Sequence, residues 1–208
     1  MDDREVQALL AHFHLFDIDC LLRPATLEKS RLRRYLEDGA SGLMIPHVST
    51  AKTARQLVDA VKFPPLGERG LDGAGLDGDY LFFPAESYVD AADEQTFLVV
   101  QIETPLAIDN VDEIAAVEGV DALFVGTGDL GMRISRTNSE LTIEDALAKV
   151  AAAARQHGKA WGCPARSPEH LRELYEQGGR LLAFGSDFQA HMELLQRCAH
   201  GQDEVFGA

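Results

Sequence analysis

Cysteine is scarce in this chain, and what there is does not pair. Cys20, Cys163 and Cys198 are odd in number and far apart, and no C-x-x-C occurs. This argues against a disulfide frame or a structural zinc site and points to a reducing compartment. Long apolar runs are missing too, so no segment reads as a bilayer span. The opening residues, MDDREVQALL, are acidic and polar, unlike a signal peptide. Basic residues are few, with 19 Lys and Arg against 34 Asp and Glu and a formal net charge of −15. Nucleic acid and anionic membranes attract basic patches, so neither is expected as a partner. The expectation is a cytoplasmic protein. Its 208 residues show no linker or compositional break and read as a single domain, 1–208.

The most informative stretch is Val99 to Gly131, VVQIETPLAIDNVDEIAAVEGVDALFVGTGDLG. FLVVQIE is an apolar run ending in Glu103. Ile108 to Glu118 has helical spacing. VDALFVG is a second apolar run, followed by Asp129 in TGDLG. Strand, helix and strand in this order predict a βαβ unit, whose two strands open at the same edge. Glu103 and Asp129 would meet there, where α/β enzymes build their sites. Two carboxylates together suit a hard divalent cation with positions left for water and substrate. The plain alternative is two solvated loop acids, and spacing alone does not separate the readings. Gly126, Gly128 and Gly131 favour the site, because glycines let backbone N–H groups approach an anion.

The rest of the chain alternates in the same way. Arg4 to Phe13 reads as an amphipathic helix and FDIDCLLRP as a strand with Arg23 at its C-terminal end. Leu27 to Glu37 reads as a helix and SGLMIP as a strand. A helix capped by Ser49-Thr50 buries Ala54, Leu57, Val58 and Val61. Residues 71 to 88 read as an irregular loop with an aromatic group, Tyr80, Phe82 and Phe83. After the βαβ unit come a polar loop, Met132 to Ser139, and a helix, Ile143 to Gln156. KAWGCPA is a strand, Pro168 to Gln177 a helix, RLLAFGSD a strand, and a last helix runs from Phe188 to about Ala199. Six strands, each followed by a helix, predict an α/β fold, either a TIM-type barrel or a doubly wound sheet.

In its blocks LLRP, LEDGASGLMIPHVSTAKTARQLVDAVKFPPLGERG, VVQIET, NVDEIAAVEGVDALFVGTGDL and the GKAWG to FGSD tail, the chain resembles the HpcH/HpaI family of class II, metal-dependent pyruvate aldolases. That family includes the 4-hydroxy-2-oxoheptanedioate and 2-dehydro-3-deoxyglucarate aldolases. The resemblance implies a (β/α)8 barrel, here incomplete with about six β/α units, assembled as a homo-oligomer. It implies a divalent metal (Mg2+, Mn2+ or Co2+) held by Glu103 and Asp129. Gln101, Gly128 and Asp129 match the positions that bind the small 2-oxoacid. Arg23 matches the arginine at the keto oxygen, and Asp38 an aspartate that acts on a neighbouring subunit's catalytic histidine. The implied reaction is cleavage of a 4-hydroxy-2-oxoacid to pyruvate and an aldehyde.

The match begins at the family's second helix, so the first two strands are expected to be absent. The loop carrying the family's basic histidine is expected to be absent with them. Turnover limited to oxaloacetate-type decarboxylation is then one expectation. An inactive truncated barrel, binding only metal or oxoacid or pairing with a complete paralogue, is the alternative. A citrate-lyase-like enzyme acting on acyl-CoA shares the strand-end acids but fits the blocks less well. His47, in IPHV, is the one histidine placed to face the site. Its simplest reading is a rim or packing residue, with a substitute base as the other. Thr127 stands where the family usually has proline.

Overall fold

Five short apolar segments pair into one sheet. The computed structural model describes residues 2–82, 84–137 and 139–207, leaving Met1, Phe83, Asn138 and Ala208 outside the description. The strands are β1 (Leu21–Leu22), β2 (Gly42–Ile45), β3 (Phe97–Ile102), β4 (Ala122–Val125) and β5 (Ala160–Gly162). All neighbours are parallel, and the spatial order is the sequence order, β1 to β5. A doubly wound sheet reverses its order at a switch point. Sequential parallel order without reversal is the order of a barrel wall. Among the described residues the wall ends at β1 on one side and beyond β5 on the other.

Alternation along each strand separates two faces. Leu43 and Ile45 of β2, Leu98, Val100 and Ile102 of β3, and Leu123 and Val125 of β4 are buried against the helices. Val99, Ala122 and Phe124 face the other way, with Leu21, Met44, Phe97 and Leu181 beside them. The same period puts Gln101 and then Glu103 on this inner face, at its C-terminal rim. The outer layer includes α1 (Asp3–Leu15), α2 (Lys29–Glu37), α3 (Ala51–Val61) and α8 (Ile143–Gln156). As the sequence spacing requires, α3 buries Ala54, Leu57, Val58 and Val61, and Thr50 Oγ1 caps it by accepting from Thr53 N at 3.2 Å.

Several elements differ from expectation, each for a local reason. The segment Ile108 to Glu118 is two short helices, α5 (Pro105–Asp109) and α6 (Val111–Ala115). Asn110 sits between them and donates its side-chain amide to Ser49 O at 2.8 Å, a tertiary bond that competes with helix continuation. The expected polar loop after Asp129 is largely helical: α7 runs Thr127–Thr137, anchored by the fully buried Leu130. The expectation of a loop rested on the polar stretch from Met132 to Ser139, and the helix begins ahead of it around the buried Leu130.

The described residues of 71–88 include regular structure. A 3-10 stretch, Leu76–Leu81, carries positive φ at Asp79 and Tyr80, and α4 (Ala85–Gln95) starts before the expected loop ends. Its anchor is buried Arg69, which donates to Asp77 Oδ2 at 2.5 Å and stacks over the Phe63 ring at 4.6 Å. Tyr88 donates to the same Asp77 oxygen at 2.7 Å. Burial and that bond push the Tyr88 hydroxyl far above the usual phenol range. Of the aromatic group expected here, Tyr80 and Phe82 are exposed, and Phe83 lies outside the described residues.

The sixth strand is present only as a trace. RLLAFGSD contributes a parallel bridge, Pro164 to Ala183, with Arg180 N and Leu181 N both donating to Trp161 O. This crossing needs Gly162, because a Cβ there would lie 1.6 Å from Leu181 O. After α9 (Pro168–Glu176), the last helix is α10 (Asp187–Phe206), longer than expected and without a buried residue. Gly162→Ala is expected to lower stability by at least about 2 kcal/mol through backbone overpacking. A urea titration followed by Trp161 fluorescence checks this; an unchanged midpoint would contradict the crossing.

Candidate active site

Glu103 follows the last residue of β3, the middle strand, and is 4 % exposed. A buried carboxylate is costly without a partner, and the two flanking strand ends supply its surroundings. From β2, the His47 backbone N–H donates to Glu103 Oε2 at 3.0 Å, and His47 Nδ1 lies 3.1 Å from the same oxygen. His47 has φ +59°, a left-handed conformation that aims both groups at the carboxylate. From β4, Gly126 lies against the other oxygen, and a Cβ there would be 2.4 Å from Glu103 Oε1. The loops are tied together below. Ser49 Oγ and Thr104 Oγ1 are hydrogen-bonded at 2.9 Å, and Thr104 caps α5 through Ala107 N at 3.0 Å.

The GTGD turn is the start of α7. Leu130 N donates to Gly126 O at 3.0 Å and opens the helical ladder. The N–H groups before it, at Gly128 and Asp129, belong to the first turn, where helices leave donors free for an anion. Gly128 has open space where a Cβ would stand. Asp129 is exposed, and its side chain makes no hydrogen bond or ion pair among the described residues. Gln101, one pleat below Glu103, is buried, and its Oε1 has no partner.

Arg23 follows β1 at the same edge of the sheet. It is exposed and lines a cleft of about 440 Å³ with Thr26 and Arg31. Thus Arg23, Gln101, Glu103, Gly128 and Asp129 share the C-terminal edge. Asp38 does not. It caps the C-terminus of α2, just before β2 begins, and so belongs to the opposite edge. There it is buried, accepting from Gln7 Nε2 at 2.9 Å and pairing with Arg34 at 3.0 Å.

These residues fit a divalent cation with an open face. The donors are hard oxygens, Glu103 is desolvated, and Gln101, whose buried Oε1 has no partner, precedes it on the same face of β3. Among the described residues no three His, Cys, Asp or Glu side chains are gathered so that they could hold a metal ion, so the protein would supply no more than two of them here. Open positions are what substrate chelation requires, whereas structural sites close around the ion. The contact of His47 with Glu103 was not read from the sequence. Its signal was there: a histidine just past β2, the strand that pairs with β3.

A parallel barrel wall with acids and a helix N-terminus at its C-terminal rim defines an α/β protein of the TIM-barrel type. Residues 3–193 match the model of the HpcH/HpaI aldolase/citrate lyase family, and the chain belongs to that family. It is 39% identical over 158 residues to the hydroxypyruvate/pyruvate aldolase of Delftia acidovorans, a match covering 75% of this chain and 58% of that protein. It is 33% identical over 183 residues to the 2-keto-3-deoxy-L-rhamnonate aldolase of Escherichia coli K12, covering 85% and 67%. Thus it spans somewhat more than half to two thirds of these relatives. Among solved structures, an HpcH/HpaI aldolase from Desulfitobacterium hafniense superposes with TM-score 0.88 at 28% identity, over 98% of this chain and 80% of that one. Macrophomate synthase does so with TM-score 0.77 at 26% identity, over 100% and 75%.

Gly126→Ala is the sharpest probe of the rim. The added methyl displaces the Glu103 carboxylate, so Mn2+ affinity is expected to fall about tenfold or more. Titration with Mn2+ followed by electron paramagnetic resonance measures it. Wild-type affinity in Gly126→Ala would contradict the arrangement.

Proposed function

We propose that this chain is a carbon–carbon lyase that binds a small 2-oxoacid and a divalent cation at the C-terminal rim of its sheet. The observation that carries this reading is the buried Glu103 carboxylate facing the first turn of α7 across Gly126. Glu103 and Asp129 are the residues that would hold the cation. A divalent cation bound there supplies Lewis acidity for the negative charge that grows on the 2-oxo oxygen.

The chain's own groups do the rest. The free N–H groups of Gly128 and Asp129 take the substrate carboxylate, helped by the positive end of α7. Gln101 offers its buried amide to the bound oxoacid and fixes its orientation. Arg23 brings a guanidinium that cannot lose its charge to the keto oxygen, where it opposes the developing enolate. Cleavage of a 4-hydroxy-2-oxoacid and decarboxylation of oxaloacetate both leave the pyruvate enolate, and the same groups stabilise it. The named aldolases among the relatives support this substrate class. Asp38 lies at the other edge, so its catalytic part belongs to the site of a second copy in a homo-oligomer.

Oxaloacetate decarboxylation is the direct test, because loss of CO2 forms the enolate without abstraction of a proton from carbon. Turnover by the 208-residue chain is expected to need Mg2+, Mn2+ or Co2+ and to stop on chelation. Glu103→Gln should reduce it at least about 100-fold, and Arg23→Lys about tenfold or more in kcat. Metal-stimulated turnover unchanged in Glu103→Gln would refute the site. A folded chain without turnover would favour the binding-only reading, to which the uncovered α10 and the open ends of the wall also belong.

A further inference from the structure

We infer that Thr127 is a further substrate-binding residue, whose backbone N–H and hydroxyl join Gly128 and Asp129 in holding the carboxylate of the oxoacid and select it over a neutral group of the same shape. This rests on the oxoacid-lyase reading above and concerns the same site.

The first argument is that Thr127 brings donors its helix does not use. It is the first residue of α7 and directly follows Gly126, which lies against the Glu103 carboxylate. An N–H at this position has no acceptor within the helix. Neither the N–H nor the hydroxyl of Thr127 makes a hydrogen bond among the described residues. The chain closes comparable positions elsewhere. Thr104 caps α5 and Ser167 caps α9, and each is followed by proline, which has no N–H to leave unsatisfied. At α7 the preceding residue is glycine, without a side chain to cap, and threonine stands where proline would fit.

The second argument is placement. Thr127 lies three residues before the fully buried Leu130, so the two share one side of α7. Thr127 is half-buried, whereas Gly128 and Asp129 are exposed. Its hydroxyl therefore belongs to the inner side of the first turn. A second unpartnered group comes to the same rim from another strand. Gln101 is 6 % exposed, its Oε1 has no partner, and it pairs in register with Phe124, two residues before Gly126. A buried amide oxygen left unpaired is costly, and a polar ligand in the rim relieves it.

The third argument is ligand chemistry. A carboxylate offers about four acceptor sites on two oxygens. The N–H groups of Gly128 and Asp129 fill two of them, and the N–H and hydroxyl of Thr127 fill the others. Hydrogen bonds to an ionised acceptor are roughly twice as strong as neutral ones. A carboxamide in the same place would turn an NH2 group towards these donors. Thr127 therefore strengthens the preference for the anion.

The test uses the full chain with Mg2+ present and pyruvate or pyruvamide as the probe, each titrated by calorimetry. Thr127→Val keeps shape and N–H but lacks the hydroxyl, and pyruvate affinity should fall about tenfold. Thr127→Pro lacks both donors in a residue suited to the first helical position, and the loss should reach about thirtyfold or more. Thr127→Ser should stay within about twofold of wild type. Pyruvamide affinity should change less than about threefold in Thr127→Val, a split that a merely structural role would not produce. Pyruvate affinity unchanged in Thr127→Pro, or equal losses for pyruvate and pyruvamide in Thr127→Val, would overturn this assignment and leave the oxoacid reading standing. Failure of the wild type to bind pyruvate would overturn both.

Discussion

The arrangement depends on one buried charge. Glu103 closes the central strand of a parallel wall, where strand alternation points it inwards and the flanking strand ends shut it away from water. A carboxylate so placed must be compensated. One oxygen receives the His47 N–H from β2, and the other lies against Gly126 from β4. Both neighbours are specialised for it, His47 by a left-handed backbone and Gly126 by having no side chain. The rim is therefore built around an anionic oxygen pair, with the N-terminus of α7 next to it to receive a second anion. Negative charge and anion-binding donors within one strand spacing support the proposed cation with an anionic chelator.

Much of this was legible in the sequence. VVQIE and DALFVG announce buried parallel strands because their apolar runs are bounded and short, and the acids follow where such strands end. The amphipathic spacing of Ala54, Leu57, Val58 and Val61 fixed the inner face of α3, and those residues are buried. What the sequence hid were tertiary decisions. Asn110 breaks a helix-like run because its amide finds Ser49. The glycine-rich TGDLG enters a helix because Leu130 is buried. Tyr88 belongs to the Arg69–Asp77 anchor, not to a loop, and that bond closes across 11 residues. The His47–Glu103 contact spans 56 residues and has no local periodicity to reveal it.

The two edges of the sheet carry different members of the proposed site. Arg23, Gln101, Glu103 and the start of α7 share the C-terminal edge, whereas Asp38 is held by Arg34 and Gln7 at the other. A family member that uses both edges for one reaction needs a second copy to bring them together. The exposed apolar residues of α10, among them Phe188, Leu195 and Phe206, and the uncovered ends of the wall leave surface for such an arrangement.

The most direct measurement of the central claim is a crystal structure of the chain grown with Mn2+ and pyruvate, read by anomalous scattering. One Mn2+ peak bonded to Glu103 and Asp129, with the pyruvate carboxylate on the N–H groups of Gly128 and Asp129, is the predicted result. A Mn2+ peak elsewhere, or none with pyruvate absent from the start of α7, would contradict it.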